Sequence, residues 1–226
     1  MSDAVTLIAR AVGGVEARLI ILRELLSGPK TGVELRYALA RRLGVPPRAI
    51  SDAKIYFNLQ ALENSGIIVR YRDWKNKYAE INPKMLQAVR KYLNITAPVM
   101  CLAALDSEPL LTKEIGWRLR EQEGISPSRY IFIAEDKMRG KIGGLTGEAE
   151  VLWVDDETLH DYERVYEIAE EALKKAISKY EPIIDVTDGT RVTVAAFQQL
   201  AWEYGLRVFY LKGKPYEKRR VVWIRG

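Results

Sequence analysis

The residues with the clearest potential for chemistry lie in the segment 183–192, Ile-Ile-Asp-Val-Thr-Asp-Gly-Thr-Arg-Val. An apolar run ends there in a polar turn, and an alanine-rich segment opened by Thr190 follows before a second apolar run at 207–211. This order predicts strand, turn, helix and strand, the βαβ unit of a parallel sheet. Free N–H groups and the positive end of the helix dipole would attract an anion, and Gly189 would let a phosphate approach closely. The segment therefore predicts a site for a phosphodiester ligand.

The turn Asp185-Val186-Thr187-Asp188-Gly189-Thr190-Arg191 resembles the Thr-Gly-Gly-Thr-Lys turn of the CRISPR-associated Rossmann fold (CARF) sensor domains. The resemblance extends over residues 97–226, and it implies a sheet that binds a cyclic oligoadenylate across the two-fold axis of a homodimer. Asp188 stands where that turn has its first glycine, and Arg191 stands where it has lysine. Arginine keeps the charge and can grip a phosphate with two hydrogen bonds. Asp188 either faces ribose or base edges of the ligand, or caps the helix or bonds within the turn.

The second half of the chain predicts a mostly parallel Rossmann-like α/β sheet with helices on both faces. The predicted strands are 99–105, 130–134, 151–154, 183–186, 208–211 and 221–224, and the predicted helices are 111–123, 159–180 and one opened by Thr190. In such sheets a ligand lies at the carboxyl ends of the strands, near the point where strand order reverses. Ten residues of three loops at these ends are the candidate ligand-binding residues: Asp106, Ser107, Glu108, Lys137, Arg139, Thr187, Asp188, Gly189, Thr190 and Arg191.

Charge divides the chain of 226 residues into two different halves. Residues 1–94 contain sixteen Lys and Arg against eight Asp and Glu, a net charge of +8, whereas residues 95–226 contain nineteen against twenty-two, a net charge of −3. A basic half of this kind favours a polyanionic partner.

The basic half also has a recognisable order of elements, a winged helix-turn-helix. Helices are predicted at 15–26, 31–43 and 48–64, followed by strands at 67–72 and 78–81 around a basic hairpin tip. The segment 53–68 resembles the recognition helix and first wing strand of the PadR and ArsR groups of regulators, which implies a helix in the DNA major groove. Base contacts are expected from Arg48, Ser51, Lys54 and Asn58, and phosphate contacts from Arg70, Arg72, Lys75 and Lys77. A winged helix that binds protein stays an open alternative.

The expected domains are a winged helix-turn-helix over 1–94, which ends in a connecting helix at 83–93, and a CARF-like sensing and dimerisation domain over 95–226. The connecting helix could dimerise or pack onto its own domain. The order of domains reverses that of the archaeal CRISPR regulators this sequence resembles, in which the sensor comes first.

Several classes of enzyme and site are disfavoured. Cys101 and His160 are the only residues of their kinds, so neither an internal disulfide nor a Cys/His zinc cluster is expected. Positions 153–155 before His160 hold no arginine, so the HEPN ribonuclease signature is missing, and no Ser/His/Asp set is found. No catalytic residue, metal or cofactor is predicted. No apolar run approaches the roughly 20 residues of a membrane span, and the start of the chain lacks signal-peptide features, so a cytoplasmic protein without membrane contact is expected.

The combined interpretation is a homodimeric, DNA-binding transcription regulator of a CRISPR system that senses a cyclic oligoadenylate and binds double-stranded DNA. The main alternative is a ring nuclease, in which Arg191, Ser107 and Lys137 would position a ribose 2′-hydroxyl against the adjacent phosphate without a dedicated base. The winged helix would then serve dimerisation or protein contact. A regulator that senses another nucleotide or small anion is the third possibility.

Overall fold

Two separate sheets organise the chain, a three-stranded sheet near the amino terminus and a six-stranded sheet after it. The computed structural model describes residues 2–142, 148–214 and 217–224. They divide into unit 1, Met1–Thr96, and unit 2, Ala97–Gly226. The division falls two residues after the boundary expected from the sequence.

Unit 1 is a helical bundle with a small antiparallel sheet of order β1-β3-β2. Its elements are α1 (Ser2–Val12), α2 (Glu16–Leu25), β1 (Lys30–Thr31), α3 (Gly32–Leu43), α4 (Asp52–Asn64), β2 (Ile68–Asp73), β3 (Asn76–Ile81) and α5 (Leu86–Leu93). Thr31 and Glu34 form a reciprocal capping box at the start of α3, and Gly44 ends that helix in the left-handed conformation.

Two helices of unit 1 differ clearly from the sequence-based prediction. Helix α1 was not predicted. Helix α4 begins at Asp52 instead of residue 48, because Ser51 caps it and a separate 3-10 turn occupies Pro47–Ala49. For the connecting helix α5 the sequence leaves both dimerisation and packing onto its own domain open; it packs against α1 with its apolar residues buried, so its apolar face is covered within its own unit.

Unit 2 is built on a six-stranded sheet of order β6-β5-β4-β7-β8-β9, parallel throughout except for the antiparallel β9. Its elements are β4 (Val99–Leu105), α6 (Leu111–Glu123), β5 (Arg129–Glu135), β6 (Glu148–Val154), α7 (Asp156–Leu159), α8 (Tyr162–Ala176), β7 (Glu181–Asp185), α9 (Arg191–Tyr204), β8 (Arg207–Lys212) and β9 (Arg220–Ile224). The predicted fold class, a mostly parallel α/β sheet, is confirmed for this unit.

The core of unit 2 lies on both faces of the sheet. Cys101, Ala103 and Leu105 of β4 pack in one apolar cluster with residues of α6. Met100 and Leu102 alternate with them, point to the opposite face and are equally buried. A strand that is buried on both faces needs cover on both, which is the arrangement expected of a parallel sheet.

The helix predicted at 159–180 is shorter in the structure: α8 covers Tyr162–Ala176, and the separate short helix α7 ends at Leu159. The Asp161 carboxylate caps α8 by accepting the N–H groups of Glu163 and Arg164, which fixes the start of that helix. No helix in the described part of the chain combines the length and the apolar character needed to cross a bilayer.

Candidate functional site

The strand order of unit 2 reverses between β4 and β7. From β4 the chain adds β5 and then β6 on one side, and β7 returns to the other side of β4 before β8 and β9 extend the sheet. Open α/β sheets bind their ligands in the crevice at the carboxyl ends of the two strands that flank such a reversal. The loops that open this crevice are residues 106–110 and 186–190, which include seven of the ten predicted ligand residues.

One carboxylate joins these two loops. Asp188 Oδ2 accepts the backbone N–H groups of Asp106 at 3.0 Å, Ser107 at 3.0 Å and Glu108 at 2.9 Å. Its Oδ1 accepts the Ser107 hydroxyl at 2.9 Å. Three successive amides that converge on one oxygen form an anion-binding concavity, and in this protein the anion is supplied by the chain itself.

This clamp defines the structural role of Asp188. It bonds across to the loop after β4, whereas the cap of α9 is the side chain of Thr190, which accepts the Thr193 N–H at 3.1 Å. The amides of residues 106–108 are consequently satisfied within the chain. A ligand phosphate must use other donors unless it displaces Asp188.

The pKa values of two neighbouring carboxyl groups, Asp185 and Asp188, are shifted in opposite directions. Burial raises the pKa of Asp188, but the hydrogen bonds from Ser107, Glu108 and two further backbone N–H groups outweigh it, so its pKa lies below the ordinary value. Asp185 is 1 % exposed, and burial raises its pKa to about 7 despite hydrogen bonds from the N–H and hydroxyl groups of Thr187. Asp188 is therefore a charged clamp, while Asp185 changes its protonation state near neutral pH.

The turn between β7 and α9 has little room beside the sheet. Gly189 has φ of 102°, and a Cβ at this position would lie 2.9 Å from the Cβ of Ala104, so glycine is required both for its conformation and for its close approach. Thr190 donates to the carbonyl of Leu159 at 2.8 Å, which fixes the start of α9 against α7.

Arg191 is the basic residue of the turn 185–191. It is the first residue of α9 and is exposed, and in the described part of the chain no ion pair engages it. A guanidinium beside the amino-terminal end of a helix is suited to an anionic ligand, because both the side chain and the helix dipole favour negative charge.

The predicted basic residues of the loop after β5 are less available. Lys137 donates to Asp106 at 3.0 Å and to Glu135, and the hydrogen bonds to these two carboxylates raise its pKa above the ordinary value. Arg139 stacks 4.6 Å from the centre of the Trp153 ring and donates to Asp136 at 2.8 Å. Lys137 therefore joins the loops after β4 and β5, while Arg139 points towards β6.

Two of the predicted residues act inside the fold. The Thr187 hydroxyl bridges Asp185 to the N–H of Leu211, the latter at 2.8 Å. The Glu108 carboxylate accepts a hydrogen bond at 2.6 Å from Arg219, whose side chain is 1 % exposed. Both side chains are therefore engaged by hydrogen bonds within unit 2.

Arg219 was missed in the sequence analysis, and it is the largest fully buried side chain in the described residues. Its Nη1 lies 3.6 Å from the Glu114 carboxylate, and its backbone carbonyl accepts from Gln122 at 2.9 Å. In the sequence it stands in Lys-Arg-Arg before a strand, a pattern typical of solvated charge. Nothing local distinguishes it from its neighbour Arg220, which is exposed.

In unit 1 some of the predicted base-contacting residues are exposed, and one is buried. Arg48 and Lys54 are exposed, and Ser51 caps α4 by accepting the Lys54 N–H at 3.2 Å. Asn58 was predicted to face the groove, but it is only 7 % exposed: its side chain accepts from Arg18 at 3.2 Å and donates to the carbonyl of Lys54 at 2.7 Å. The burial of Asn58 could have been predicted from helical spacing, because Asn58 lies three residues after Ile55 and four before Leu62, both of which are core residues.

The predicted phosphate-contacting residues lie on the β2–β3 hairpin. Arg72, Lys75 and Lys77 are exposed. Arg70 differs from the prediction, because its guanidinium donates to Glu63 and to Gln60, both at 2.8 Å, and lies 5.3 Å from the centre of the Tyr56 ring. Three of the four cations are therefore accessible to a polyanion, and the fourth ties the hairpin to α4.

A groove of about 710 Å³ separates α4 from the hairpin. It is lined by both elements, with Asp52, Tyr56 and Glu63 on one side and Arg72, Lys75 and Lys77 on the other. Next to Tyr56, the Phe57 side chain is 68 % exposed. The outward face of α4 thus carries two exposed aromatic residues in addition to the predicted Lys54.

The described residues contain no group of three or more His, Cys, Asp and Glu side chains placed to hold a metal ion. The free Cys101 is buried, and burial raises the pKa of its thiol well above the ordinary value. Among the predicted ligand residues that the structure describes, the crevice therefore offers a ligand chiefly the exposed guanidinium of Arg191.

Comparison with known proteins gives structural similarity only. No family model and no curated protein matches the sequence. Can2 from Sulfobacillus thermosulfidooxidans, solved in complex with cyclic tetra-adenylate, is similar over 50 % of this chain and 32 % of its own, with 16 % identity and a TM-score of 0.40. Csm6 from Enterococcus italicus, bound to cyclic hexa-2′-fluoro-hexa-dAMP, is similar over 57 % of this chain and 42 % of its own, with 12 % identity and a TM-score of 0.42. The chain thus spans less than half of either structure.

Proposed function

We propose that the protein is a ligand-responsive, DNA-binding transcription regulator in which unit 2 is a CARF-type sensor of a cyclic oligoadenylate. The observation that carries the proposal is the exposed Arg191 at the start of α9, beside the strand-order reversal of the sheet. The ligand class comes from the resemblance of residues 185–191 to the CARF turn. The regulator is proposed to act as a homodimer in a CRISPR defence system.

DNA binding is proposed for unit 1. Its net charge of +8, its exposed hairpin cations and the order of its helices and strands support a winged helix-turn-helix. Arg48 and Lys54 are the proposed base-contacting residues that are accessible, and Arg72, Lys75 and Lys77 are the proposed phosphate contacts.

The ring-nuclease alternative has less support from the contacts of its candidate residues. The Ser107 hydroxyl is held by Asp188, and Lys137 is held by two carboxylates. All three residues that would position a ribose hydroxyl are exposed, but in the described part of the chain only the Arg191 side chain is not already held by a carboxylate. A cyclic oligoadenylate should therefore stay intact during incubation with the protein, which chromatography of the ligand would check.

Ligand binding is tested by titration calorimetry of the full chain. Cyclic tetra-adenylate and cyclic hexa-adenylate are the first ligands to test, with linear oligoadenylates of the same lengths as controls. One of the cyclic compounds should bind, and Arg191→Ala should abolish that binding. Lys179→Ala removes an exposed cation just before the amino end of β7, at the opposite edge of the sheet, and should not affect it. If no cyclic oligoadenylate binds, or if both variants bind equally well, the proposed sensor site is wrong.

A further inference from the structure

The tip of the β2–β3 hairpin carries an exposed aromatic side chain. Trp74 is 87 % exposed, the highest value among the large hydrophobic residues that the structure describes. It lies in a two-residue turn, because Asp73 pairs with Asn76 as the last register position of the hairpin. A tryptophan that is left in water at such a turn contributes nothing to the core of its own unit.

The backbone at Trp74 is also unfavourable for its residue type. Its φ is 52°, in the left-handed region that glycine and asparagine adopt easily and bulky side chains avoid. The other non-glycine residue of the described chain with positive φ is Asn94, which ends α5 in the usual way. Two-residue hairpins normally place Gly or Asn where Trp74 stands. Such strain at an exposed position points to a function outside the fold.

The charges around Trp74 indicate the kind of partner. Arg72 and Lys77 face each other directly in the β2–β3 register, and like charges in this position destabilise a hairpin unless an anion lies between them. The Lys75 ammonium lies 5.3 Å from the centre of the Trp74 ring. Asp73 is the acidic residue of the tip, so the three cations leave a net positive charge around the ring.

A flat ring surrounded by cations is suited to nucleic acid. The cations can contact phosphates on both sides while the ring stacks on bases, an arrangement that protein surfaces match poorly. Proteins that insert an apolar side chain between base pairs unstack one step and bend the duplex by roughly 20–90°. Flexible pyrimidine–purine steps such as TA are the least costly to open in this way.

We propose that Trp74 is a wedge that enters duplex DNA at a flexible base step and bends it, while Arg72, Lys75 and Lys77 hold the flanking phosphates. The proposal rests on the DNA-binding function proposed above. The hairpin would then contribute shape-dependent specificity in addition to affinity. Specificity would arise from how easily the DNA opens, independently of any base contact made by α4.

The test uses the full chain and two DNA duplexes, each labelled at both ends so that energy transfer reports the bend. One duplex has a TA step at its centre, and in the other a stiff A-tract replaces that step. Wild-type protein should bend the TA duplex and prefer it. Trp74→Asn suits the positive φ and should fold at least as stably. It should lose the bend and bind the TA duplex roughly 5- to 160-fold more weakly, the equivalent of about 1 to 3 kcal/mol per stacked base. Trp74→Phe should keep part of the bend.

Lys91→Ala, which removes an exposed charge of α5 outside the hairpin, is the matched control and should leave the bend unchanged. The double variant Lys75→Ala/Lys77→Ala should lower the affinity for both duplexes. If wild-type protein binds DNA but Trp74→Asn bends it equally, or if neither protein bends it, the wedge is wrong and the hairpin acts through charge alone. If wild-type protein binds no duplex even at low salt, the DNA-binding function itself fails, and Trp74 would be free to contact a protein.

Discussion

Asp188 and Ser107, eighty-one positions apart in the sequence, are joined by two hydrogen bonds: Oδ2 accepts the Ser107 N–H at 3.0 Å and Oδ1 accepts its hydroxyl at 2.9 Å. Through this pair the turn before α9 fixes the loop after β4, and both loops lie at the reversal of strand order. The crevice is therefore shaped before any ligand arrives, which reduces the entropy lost on binding.

Asp188→Asn is expected to lower the stability of unit 2. The amide keeps one acceptor oxygen, whereas the carboxylate satisfies three N–H groups and a hydroxyl with two, so buried donors are left unpaired at a cost of about 1 to 3 kcal/mol. Urea unfolding followed by tryptophan fluorescence reports mainly on this unit, because four of the five tryptophans lie in it. The control Asp136→Asn alters an exposed carboxylate and should shift the transition little; equal shifts would show that the clamp contributes nothing.

Arg219→Ala should be far more damaging than Arg220→Ala, although the residues are adjacent. Arg219 is 1 % exposed and donates to Glu108, so its removal leaves a partly buried carboxylate without its partner, at a cost of about 3 kcal/mol. Arg220 is exposed, and its loss should change stability by less than about 0.5 kcal/mol. The same unfolding experiment separates them. Similar values for both variants would mean that Arg219 does not stabilise the loop after β4.

The stability of unit 2 should decrease as pH rises from about 4 to about 7. Burial raises the pKa of the Asp185 carboxyl from its ordinary value of 3.8 to about 7 in the folded protein. Between these two pH values the folded state keeps the proton and the unfolded state does not, so the free energy of unfolding falls as pH rises. That stabilisation is complete at low pH and is lost as pH rises through 7. Asp185→Asn resembles the protonated acid and should remove this contribution. Unfolding at pH 5 and pH 8 checks it: a pH dependence that is identical in wild type and variant would contradict the assignment.

DNA binding should weaken steeply with salt, and the hairpin should account for part of the slope. Each phosphate contact contributes roughly −0.9 to the slope of log K against log salt, so Lys75→Ala/Lys77→Ala should make the slope less steep by about 2. Lys91→Ala removes an exposed charge of the same unit on α5 and is the control. Fluorescence anisotropy at several salt concentrations gives both slopes. If the double variant and the control have the same slope as wild type, the hairpin does not contact phosphates.

The parts of the fold that sequence could predict are those encoded locally. Apolar runs such as 99–105 and the turn chemistry around Gly189 led to the sheet and to the start of α9, because each signal lies within a few residues of the element it specifies. The Asp188 clamp and the Glu108–Arg219 pair could not be predicted, because each joins residues that only the folded sheet brings together. Asn58 could have been assigned correctly, since its helical spacing places it beside the core residues Ile55 and Leu62.

The central claim is that unit 2 senses a ligand and that unit 1 responds by changing its affinity for DNA. Thermodynamic linkage requires the effect to be reciprocal, on a usual scale of about 1 to 3 kcal/mol. The direct measurement is the dissociation constant of the cyclic oligoadenylate with and without a saturating duplex that the protein itself selects from a random pool. We expect the two constants to differ, by the same factor by which the ligand changes the affinity for the duplex. Identical constants would mean that the two units bind their partners independently, and the sensor-regulator account would be contradicted.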